Sequence, residues 1–364
     1  MPNFDIIKKC SPEKTFRVAS VMGTFDLQDN SIVERFAGEI NTPDNWKIGL
    51  IVGASGTGKT TIAKELYPDA YVERFEYTHE SLLDDMPKEC SVSQITQTLS
   101  SVGLSSVPSW LKSYHVLSNG EKMRCDLARA ILSKEKLFVF DEFTSVVDRN
   151  VAKIGSFAMQ KAIRKTDKQF IAVTCHYDVE DWLLPDWVLD TNSMTFRVCE
   201  GQKKNRPKCE LRIYETKRKE YYWSIFRKHH YLSHSHNNSA RVFIATLNGQ
   251  ICAFSSILQF PHPKKKGFYK DHRTIVLPDY QGLNIAYFLT KFICELLNKE
   301  NKGWITTTSN PARIAQLKKD KDFKCTRIGR VSSGSGTGKI QNKFIKGSTS
   351  CNRITVSFEY IGKQ

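Results

Sequence analysis

The sequence predicts two successive domains, an α/β domain built around a parallel sheet and then an α+β domain with an antiparallel hairpin. The first prediction rests on three apolar runs of the buried-strand type that alternate with helical segments: IGLIVG at 48–53, KLFVFDE at 136–142 and QFIAVTC at 169–175. The second rests on RVFIATLNGQICAFSSILQF at 241–260, where Asn248-Gly249 is a type I′ turn signal between two β-rich runs. With 364 residues, the chain is long enough for two ordinary cores.

The domain boundary is indicated by a change of composition and of charge. The basic stretch EGQKKNRPKCE at 200–210 carries Pro and Gly and follows an apolar segment. Residues 1–201 hold 23 Lys and Arg against 28 Asp and Glu, a net charge of −5, whereas residues 202–364 hold 31 basic and 10 acidic residues, a net charge of +21. We therefore assign 1–201 to the first domain, 202–212 to a linker and first strand, and 213–364 to the second domain. Positive charge segregated in this way favours a polyanionic partner, and nucleic acid over a membrane surface.

Composition excludes several classes of protein. The apolar runs are too short to span a membrane, and MPNFDIIKKC at the start has no apolar stretch of a signal peptide, so we expect a cytoplasmic protein without a membrane partner. The ten cysteines are scattered without a C-x-x-C pair, which predicts reduced thiols and not a zinc site or redox couple.

The first domain contains a phosphate-binding motif in the expected context. GASGTGKT at 53–60 follows a buried-type strand and precedes a helical segment, as a P-loop does. Glycines allow the backbone to curl around a β-phosphate, a lysine neutralises the β- and γ-phosphates, and a hydroxyl supplies a ligand to Mg²⁺. The predicted ATP-binding residues here are Gly53, Ser55, Gly56, Gly58, Lys59, Thr60 and Thr61.

Two carboxylates follow the strand LFVF. Asp141 is expected to hold Mg²⁺ together with Thr60, and Glu142 to polarise the attacking water. An acidic pair after a strand is ordinarily a solvated strand end, but the upstream P-loop favours the functional interpretation.

Between these motifs, VLSNGEKMRCDLARAIL at 116–132 resembles the LSGGQ signature of ABC-type ATPases, with Asn119 and Glu121 as departures. The resemblance implies that Ser118 and Gly120 face a γ-phosphate, that Asp148 in TSVVD belongs to the D-loop, and that His176 is the catalytic switch histidine. In that family each signature completes the P-loop of a second copy, so the resemblance implies a homodimer through the ATPase domains. The glutamine loop (Gln94 or Gln97) and the adenine-stacking aromatic residue (Phe25 or Phe36) stay unassigned.

The second domain is predicted to contain, in order, the elements strand 211–217, helix 218–232, the hairpin, strand 274–279, helix 282–300, strand 304–309, helix 310–320 and a final strand pair. The stretch SSGSGTGKI at 332–340 lacks the leading glycine and closing Ser/Thr of a P-loop, so we interpret it as a flexible hairpin loop.

Within this order, YQGLNIA resembles the Q/R-x-x-G-x-G/A loop of GNAT acyltransferases, which binds the pyrophosphate of acyl-CoA at a helix N-terminus. Asn284 replaces a glycine of that motif, and Asn tolerates the left-handed conformation better than most residues. The resemblance implies acetyl-CoA or a related acyl-CoA as the donor. Its predicted binding residues are Leu277, Gln281, Gly282, Leu283, Asn284, Ile285, Ala286 and Asn310.

Three stretches, FRKHHYLSHS, LPDYQGLNIA and TTTSNPAR, are also similar to the Mom-like branch of GNAT proteins, which modifies the exocyclic amine of adenine in phage DNA. That amine is scarcely basic, so its attack on an acyl carbon needs proton removal and a polarised carbonyl. The candidate catalytic residues are His230, Tyr231 and Asp271. The candidate nucleic-acid contacts are Lys264, Lys265, Lys266 and Arg273, the lysines being part of an expected basic loop at 261–270.

The function predicted from the sequence is an ABC-type ATPase fused to a GNAT-like N-acyltransferase that modifies a nucleobase in DNA, encoded by a phage or mobile element. ATP would serve a conformational step, because thioester transfer is already downhill and a base must leave the stack to be modified. Two alternatives stay open: an RNA N-acyltransferase acting on tRNA, and a non-catalytic nucleic-acid sensor in which the ATPase signals.

Overall fold

The computed structural model describes residues 3–11, 13, 15–26, 32–73, 75–199, 209–230, 236–261, 265–330 and 354–362. The chain divides into two compact units. The first comprises Met1–Phe75, Lys134–Ser156 and Ile163–Arg206, and the second comprises Glu76–Ser133, Phe157–Ala162 and Pro207–Gln364. The segment that carries the LSNGE motif therefore clusters with the C-terminal residues. The boundary predicted at 201/202 lies outside the described residues and stays a prediction, and the loop expected at 332–340 lies outside them too.

Helices and strands alternate along the described part of the chain. Its helices are α1 (Phe16–Thr24), α2 (Lys59–Leu66), α3 (Val92–Ser101), α4 (Val107–Trp110), α5 (Asn119–Leu132), α6 (Arg149–Ile163), α7 (Val179–Leu183), α8 (Lys219–Phe226), α9 (Ile285–Lys299) and α10 (Pro311–Lys319). Its strands are β1 (Asn3–Cys10), β2 (Ile32–Glu39), β3 (Ile48–Val52), β4 (Tyr71–Val72), β5 (Leu137–Phe140), β6 (Gln169–Thr174), β7 (Trp187–Asp190), β8 (Thr195–Val198), β9 (Leu211–Thr216), β10 (Arg241–Leu247), β11 (Gln250–Gln259), β12 (Phe268–Val276), β13 (Gly303–Thr308), β14 (Phe323–Arg330) and β15 (Ile354–Tyr360).

The first unit is built on a sheet of order β4-β5-β6-β3-β7-β8, in which every pairing except β7 with β8 is parallel. The three apolar runs form its adjacent central strands β5, β6 and β3, as predicted. β3 is buried along its whole length, which explains why its sequence does not alternate. Because parallel strands place their carboxyl ends at one edge, the segments after β3, β5 and β6 meet there.

The second unit combines the helices α3, α4 and α5 with a mixed sheet of order β14-β15-β13-β12-β11-β10-β9. The predicted hairpin joins β10 to β11, and Asn248 and Gly249 have φ angles of 48° and 83°, as a type I′ turn requires. The fold class predicted from the sequence, an α/β unit with a P-loop and an α+β unit, is confirmed.

Strands β12 and β13 are parallel neighbours only over their first three residues. Phe268 to Lys270 pair with Gly303 to Ile305, and beyond that point β12 continues on β11 while β13 continues on β15. The sheet therefore opens between the carboxyl ends of β12 and β13.

Two element boundaries differ from those predicted. Residues 268–270, expected in a basic loop, begin β12 because they pair with residues 258–259 of β11 and with β13. The helix expected over 218–232 ends at Phe226 and continues as a 3₁₀ turn over Arg227–His229, and residues 231–232 lie outside the described part. No helix in the described ranges is both long and apolar enough to cross a membrane.

Candidate nucleotide and acyl-donor sites

The P-loop joins β3 to α2 in the first unit and is held by short polar contacts. Lys59, only 7% exposed, donates from Nζ to the carbonyl oxygen of Ala54 at 2.6 Å. Thr57 also bonds Ala54 O, at 2.9 Å, and its hydroxyl lies 2.5 Å from that of Thr191. Gly58 precedes the helix with φ of 82°, a conformation that favours glycine. The side chains of Thr57 and Lys59 therefore both bond the carbonyl oxygen of Ala54, a residue of the same loop.

The carboxylate after β5 lies directly beside the P-loop hydroxyl. Thr60 Oγ1 donates to Asp141 Oδ2 at 2.6 Å, and Tyr71 OH donates to the same oxygen at 2.7 Å. Burial and then the Asp141 carboxylate raise the pKa of Tyr71, so the phenol stays a donor. A hydroxyl and a carboxylate are oxygen ligands suited to Mg²⁺, which keeps several waters and phosphate oxygens as its other ligands. In the described residues no group of three or more His, Cys, Asp or Glu side chains could hold a metal ion by itself.

The other predicted catalytic residues of the first unit, Glu142 and His176, follow β5 and β6, and Asp148, predicted to bind ATP, precedes α6. Glu142 follows Asp141 with φ of 52°, and its backbone N–H bonds Asp141 Oδ1 at 2.8 Å. His176 follows β6, and its backbone N–H donates to Thr174 Oγ1 at 3.2 Å. Asp148 caps α6, with Oδ1 accepting from Asn150 N and Val151 N at 2.9 and 3.0 Å.

The residues left unassigned by the sequence occupy ordinary structural positions. Phe36 is buried against Gly58, whereas Phe25 is exposed at the end of α1. Gln94 and Gln97 lie in α3, as expected for a helix, and Gln94 closes a capping box with Ser91. None of these contacts singles out an adenine platform or a glutamine loop.

In the second unit, Ser118 is the N-cap of α5. Its hydroxyl accepts from Glu121 N at 3.3 Å, and Glu121 Oε2 accepts from Ser118 N at 3.1 Å, which is a capping box. Glu121 Oε1 also accepts from Ser109 Oγ at 2.7 Å. The departure from glutamine at position 121 therefore has a local reason, while Ser118 stays exposed at the helix N-terminus.

The loop between β12 and α9 has the shape of an anion site. Asn284 adopts φ of 64° and ψ of 21° immediately before α9, and Gly282 has φ of 90°. The backbone N–H groups of residues 282–286 have no acceptor in the described part of the chain. Unpaired amides at the N-terminus of a 15-residue helix attract an anion, and the left-handed conformation expected of Asn284 is present.

The two predicted donor-binding residues outside this loop have structural contacts. Leu277 packs on the core beneath α8 and donates its N–H to Cys252 O at 2.9 Å. Asn310 caps α10, where its Oδ1 accepts from Arg313 N at 3.0 Å.

Asp271, predicted to be catalytic, lies where β12 and β13 separate and is fully engaged. Its carboxylate accepts from Thr274 Oγ1 at 3.0 Å and Thr306 Oγ1 at 3.1 Å, and pairs with Arg313 Nη2 at 2.9 Å. These contacts tie both strands to α10. The three donors anchor this carboxylate where the two strands separate, and its catalytic role stays a prediction.

On the opposite face of β12 lies a histidine cluster, defined as Trp223, His230, His236, Phe254 and His272. His236 and His272 have ring centroids 5.9 Å apart, and His272 Nδ1 lies 3.3 Å from Ser256 Oγ. Burial, with Arg273 and His236 nearby, lowers the pKa of His272 to about 4. Both ring nitrogens of His236 are buried without a partner among the described residues. His272 is therefore a neutral imidazole at neutral pH, and sequence reasoning missed it because a single histidine in a strand carries no signal.

The remaining predicted residues of the second unit are placed as follows. His230 is buried at the edge of this cluster, 6.1 Å from the Trp223 ring. Tyr231 and Lys264 lie outside the described residues. Lys265 pairs with Glu359, whereas Lys266 is exposed. Arg273 lies in β12, where it pairs in register with Ser256.

Comparisons with known proteins match parts of the chain and not the whole of it. Residues 209–319 match the sequence profile of the Acetyltransferase (GNAT) family. A search of curated protein sequences gives no significant match.

Solved structures similar to parts of the chain include a dimeric bacterial ABC transporter cassette, with 14% identity over 46% of this chain and 93% of the other and a TM-score of 0.37. A bacterial Atm1-family ABC exporter with ATP bound has 16% identity over 44% of this chain and 33% of its own, with a TM-score of 0.33. The ribosomal-protein-S18-alanine N-acetyltransferase of Escherichia coli has 18% identity over 43% of this chain and 96% of its own, with a TM-score of 0.31. The profile match identifies residues 209–319 as a domain of the GNAT acetyltransferase type.

Proposed function

We propose that this protein is an ABC-type ATPase fused to an N-acyltransferase that transfers an acyl group from acyl-CoA to a nucleobase, with the exocyclic amine of adenine in DNA as the favoured acceptor. The observation that carries the proposal is the set of unpaired amides at residues 282–286, which lies in a domain that matches the GNAT profile. They form a site for the diphosphate of the donor.

The rest of the donor would lie in the opening between β12 and β13. The carbonyl and amide edges of the two strands are no longer paired with each other beyond Lys270 and Ile305, so they are open to an extended ligand. Asp271 and Arg313 hold the opening from one face, while the histidine cluster lies on the other face of β12.

The proposed acyl transfer needs a group that removes a proton from the acceptor amine. His272 is neutral at physiological pH because its pKa is lowered to about 4, so one of its ring nitrogens carries a lone pair that can accept a proton. The acyl carbon would bond to the amine nitrogen as the thioester C–S bond breaks, and the amine proton would pass to an imidazole and from it to the departing sulfur, which leaves as the thiol of CoA.

Nucleic acid is favoured as acceptor because the net charge of residues 202–364 is +21. The similarity of FRKHHYLSHS, LPDYQGLNIA and TTTSNPAR to the Mom-like branch supports adenine in DNA. In the first unit, Thr60 and Asp141 would hold the Mg²⁺ of bound ATP, and Ser118 would complete the nucleotide site of a second copy in a head-to-tail dimer. ATP turnover would time access to a flipped base.

Two substitutions at one position test the acyl-donor site in cells. Ala286→Glu places a carboxylate in the first turn of α9, where it favours the helix but repels a diphosphate, and Ala286→Gln is the neutral control of equal size. Nucleosides from the DNA and RNA of cells expressing each variant would be compared by mass spectrometry.

We expect an acylated nucleoside with the wild type and with Ala286→Gln, and none with Ala286→Glu. Acylation confined to RNA would replace DNA by RNA as the acceptor. An unchanged nucleoside profile with the wild type would contradict nucleobase modification and favour the sensor interpretation.

A further inference from the structure

The loop that would hold the acyl donor is contacted by the segment that carries the signature-like motif, inside the same compact unit. Ser105 N donates to Gln281 Oε1 at 2.6 Å, and Gln281 Nε2 donates to Val276 O at 3.1 Å, so this side chain ties the loop both to its own strand and to the helical segment. Arg124 Nη2 donates to the carbonyl oxygen of Asp279 at 3.1 Å.

Two glycines allow the backbones to meet. Gly103, with φ of 92°, has space for no side chain, because a Cβ there would lie 2.7 Å from Gln281 O. A Cβ on Gly282, with φ of 90°, would lie 3.0 Å from the Cα of Gly103. The backbone of the donor loop at Gly282 is therefore in direct contact with the backbone of Gly103, in the segment after α3.

Arg124 lies against this contact and is incompletely paired. Its side chain is fully buried, and its Nε lies 3.3 Å from the position of a Cβ on Gly103. Neither Nε nor Nη1 has a hydrogen-bond partner among the described residues, although the carboxylates of Asp279 and Glu121 attract the guanidinium through space. A buried guanidinium with two free donors is normally satisfied by an anion, an acidic side chain or ordered water.

Unpaired donors from two sources thus lie near the same stretch of the loop, because Arg124 contacts Asp279 and Gly103, and Gly103 contacts Gly282. The amides of residues 282–286 belong to the start of α9, and the guanidinium belongs to α5. Arginine presents its donors in a fork that matches two phosphate oxygens, which a diphosphate supplies.

We propose that Arg124 is a ligand of the acyl donor's diphosphate, so that the donor site is shared between the GNAT loop and the helix that begins at Ser118. This inference rests on the proposed function in taking an acyl-CoA as the donor. It adds a binding residue from outside the 209–319 segment that matches the GNAT profile. Ser118 of the signature-like motif caps the same helix.

The test is calorimetric titration of the full chain with CoA and with 4′-phosphopantetheine, which lacks the diphosphate. Every protein carries Lys59→Ala, so that the P-loop does not compete for diphosphate. The variants are Arg124→Met, which keeps an unbranched apolar stem but removes the charge, and Arg124→Lys, which keeps the charge but removes the fork. Lys122→Met, on the same helix, is the matched control.

We expect Arg124→Met to weaken CoA binding about tenfold or more, Arg124→Lys to weaken it by less, and Lys122→Met to leave it unchanged. Affinity for 4′-phosphopantetheine should not change in any variant. If Arg124 were only structural, both ligands would weaken together, and that result or an unchanged CoA affinity overturns the inference. If Arg124→Met does not fold, as judged by circular dichroism, the same comparison is made with Arg124→Lys.

Inorganic pyrophosphate separates this inference from the proposed function. Pyrophosphate binding that is lost in Arg124→Met, without CoA binding to the parent protein, would support the anion site and remove acyl-CoA as its ligand. Binding of neither ligand to the parent protein would contradict both proposals.

Discussion

Substitution of Asn284 isolates the backbone requirement of the donor loop. Asn284 has φ of 64° and ψ of 21°, and its side chain makes no capping hydrogen bond. Its contribution is therefore conformational, since asparagine enters the left-handed region more readily than other residues with a Cβ. Asn284→Gly should be tolerated, and Asn284→Ala should not.

The expected magnitudes follow from this conformation. An alanine held in the left-handed region costs roughly 1–2 kcal/mol, of which asparagine already bears part, so Asn284→Ala should lower the free energy of unfolding by about 1 kcal/mol. For a unit of this size that corresponds to a fall of about 2–4 °C in Tm. Asn284→Gly removes the strain but adds freedom to the unfolded chain, and the two effects should cancel to within about 0.5 kcal/mol.

The assay is thermal unfolding with and without CoA, and the chain supplies a matched control at the other end of α9. Asn301 also has a positive φ, 57°, so Asn301→Ala should destabilise similarly while leaving CoA affinity unchanged. Asn284→Ala should weaken CoA binding as well, because the amides of residues 282–286 depend on this turn. Equal stability of the Ala and Gly variants at position 284 would refute the reasoning.

Three further predictions concern other parts of the structure. Glu142→Gln should retain ATP binding and lower the ATPase rate about a hundredfold or more, measured by phosphate release; a near-normal rate would contradict Glu142 as the group that polarises water. The pKa of His272 is about 4 in the folded protein against an ordinary 6.5. Between these pH values the unfolded chain binds a proton that the folded chain does not. The free energy of unfolding should therefore fall as the pH is lowered from about 6.5 towards 4. This loss, about 2 kcal/mol after allowance for solvent screening, should shrink in His272→Gln when urea unfolding is followed across pH, and identical profiles would contradict it. Asp271→Asn leaves Arg313 without its carboxylate and should cost about 2 kcal/mol, seen as a fall in Tm. If Asp271 only anchors the strands, any loss of activity follows the loss of folded protein; a large loss of activity in fully folded protein would support the catalytic role predicted for Asp271.

The parts of the fold that were predictable are those encoded over short stretches. GASGTGKT after an apolar run predicts the P-loop between β3 and α2, and Asn248-Gly249 predicts the hairpin turn, because each signal lies within one turn or one strand. Asn284 also behaves as its position in the loop indicates.

The features of the site that the sequence does not reveal depend on distant partners. In the sequence Asp271 has no evident partner. In the fold it contacts Thr306 of β13 and Arg313 of α10. In the sequence Arg124 is an ordinary helix residue. No local pattern predicts that its guanidinium contacts a loop 155 residues further along the chain. The low pKa of His272 arises from burial beneath α8, which no periodicity reveals.

Transfer of a labelled acetyl group tests the central claim most directly. Purified protein with acetyl-CoA labelled in the acetyl group, ATP and Mg²⁺ would be incubated with duplex DNA or with tRNA, and the label followed into digested nucleosides. We predict label on deoxyadenosine from DNA, lost in Ala286→Glu and kept in Ala286→Gln. Label found only in free acetate or on protein, with bound acetyl-CoA confirmed, would contradict it.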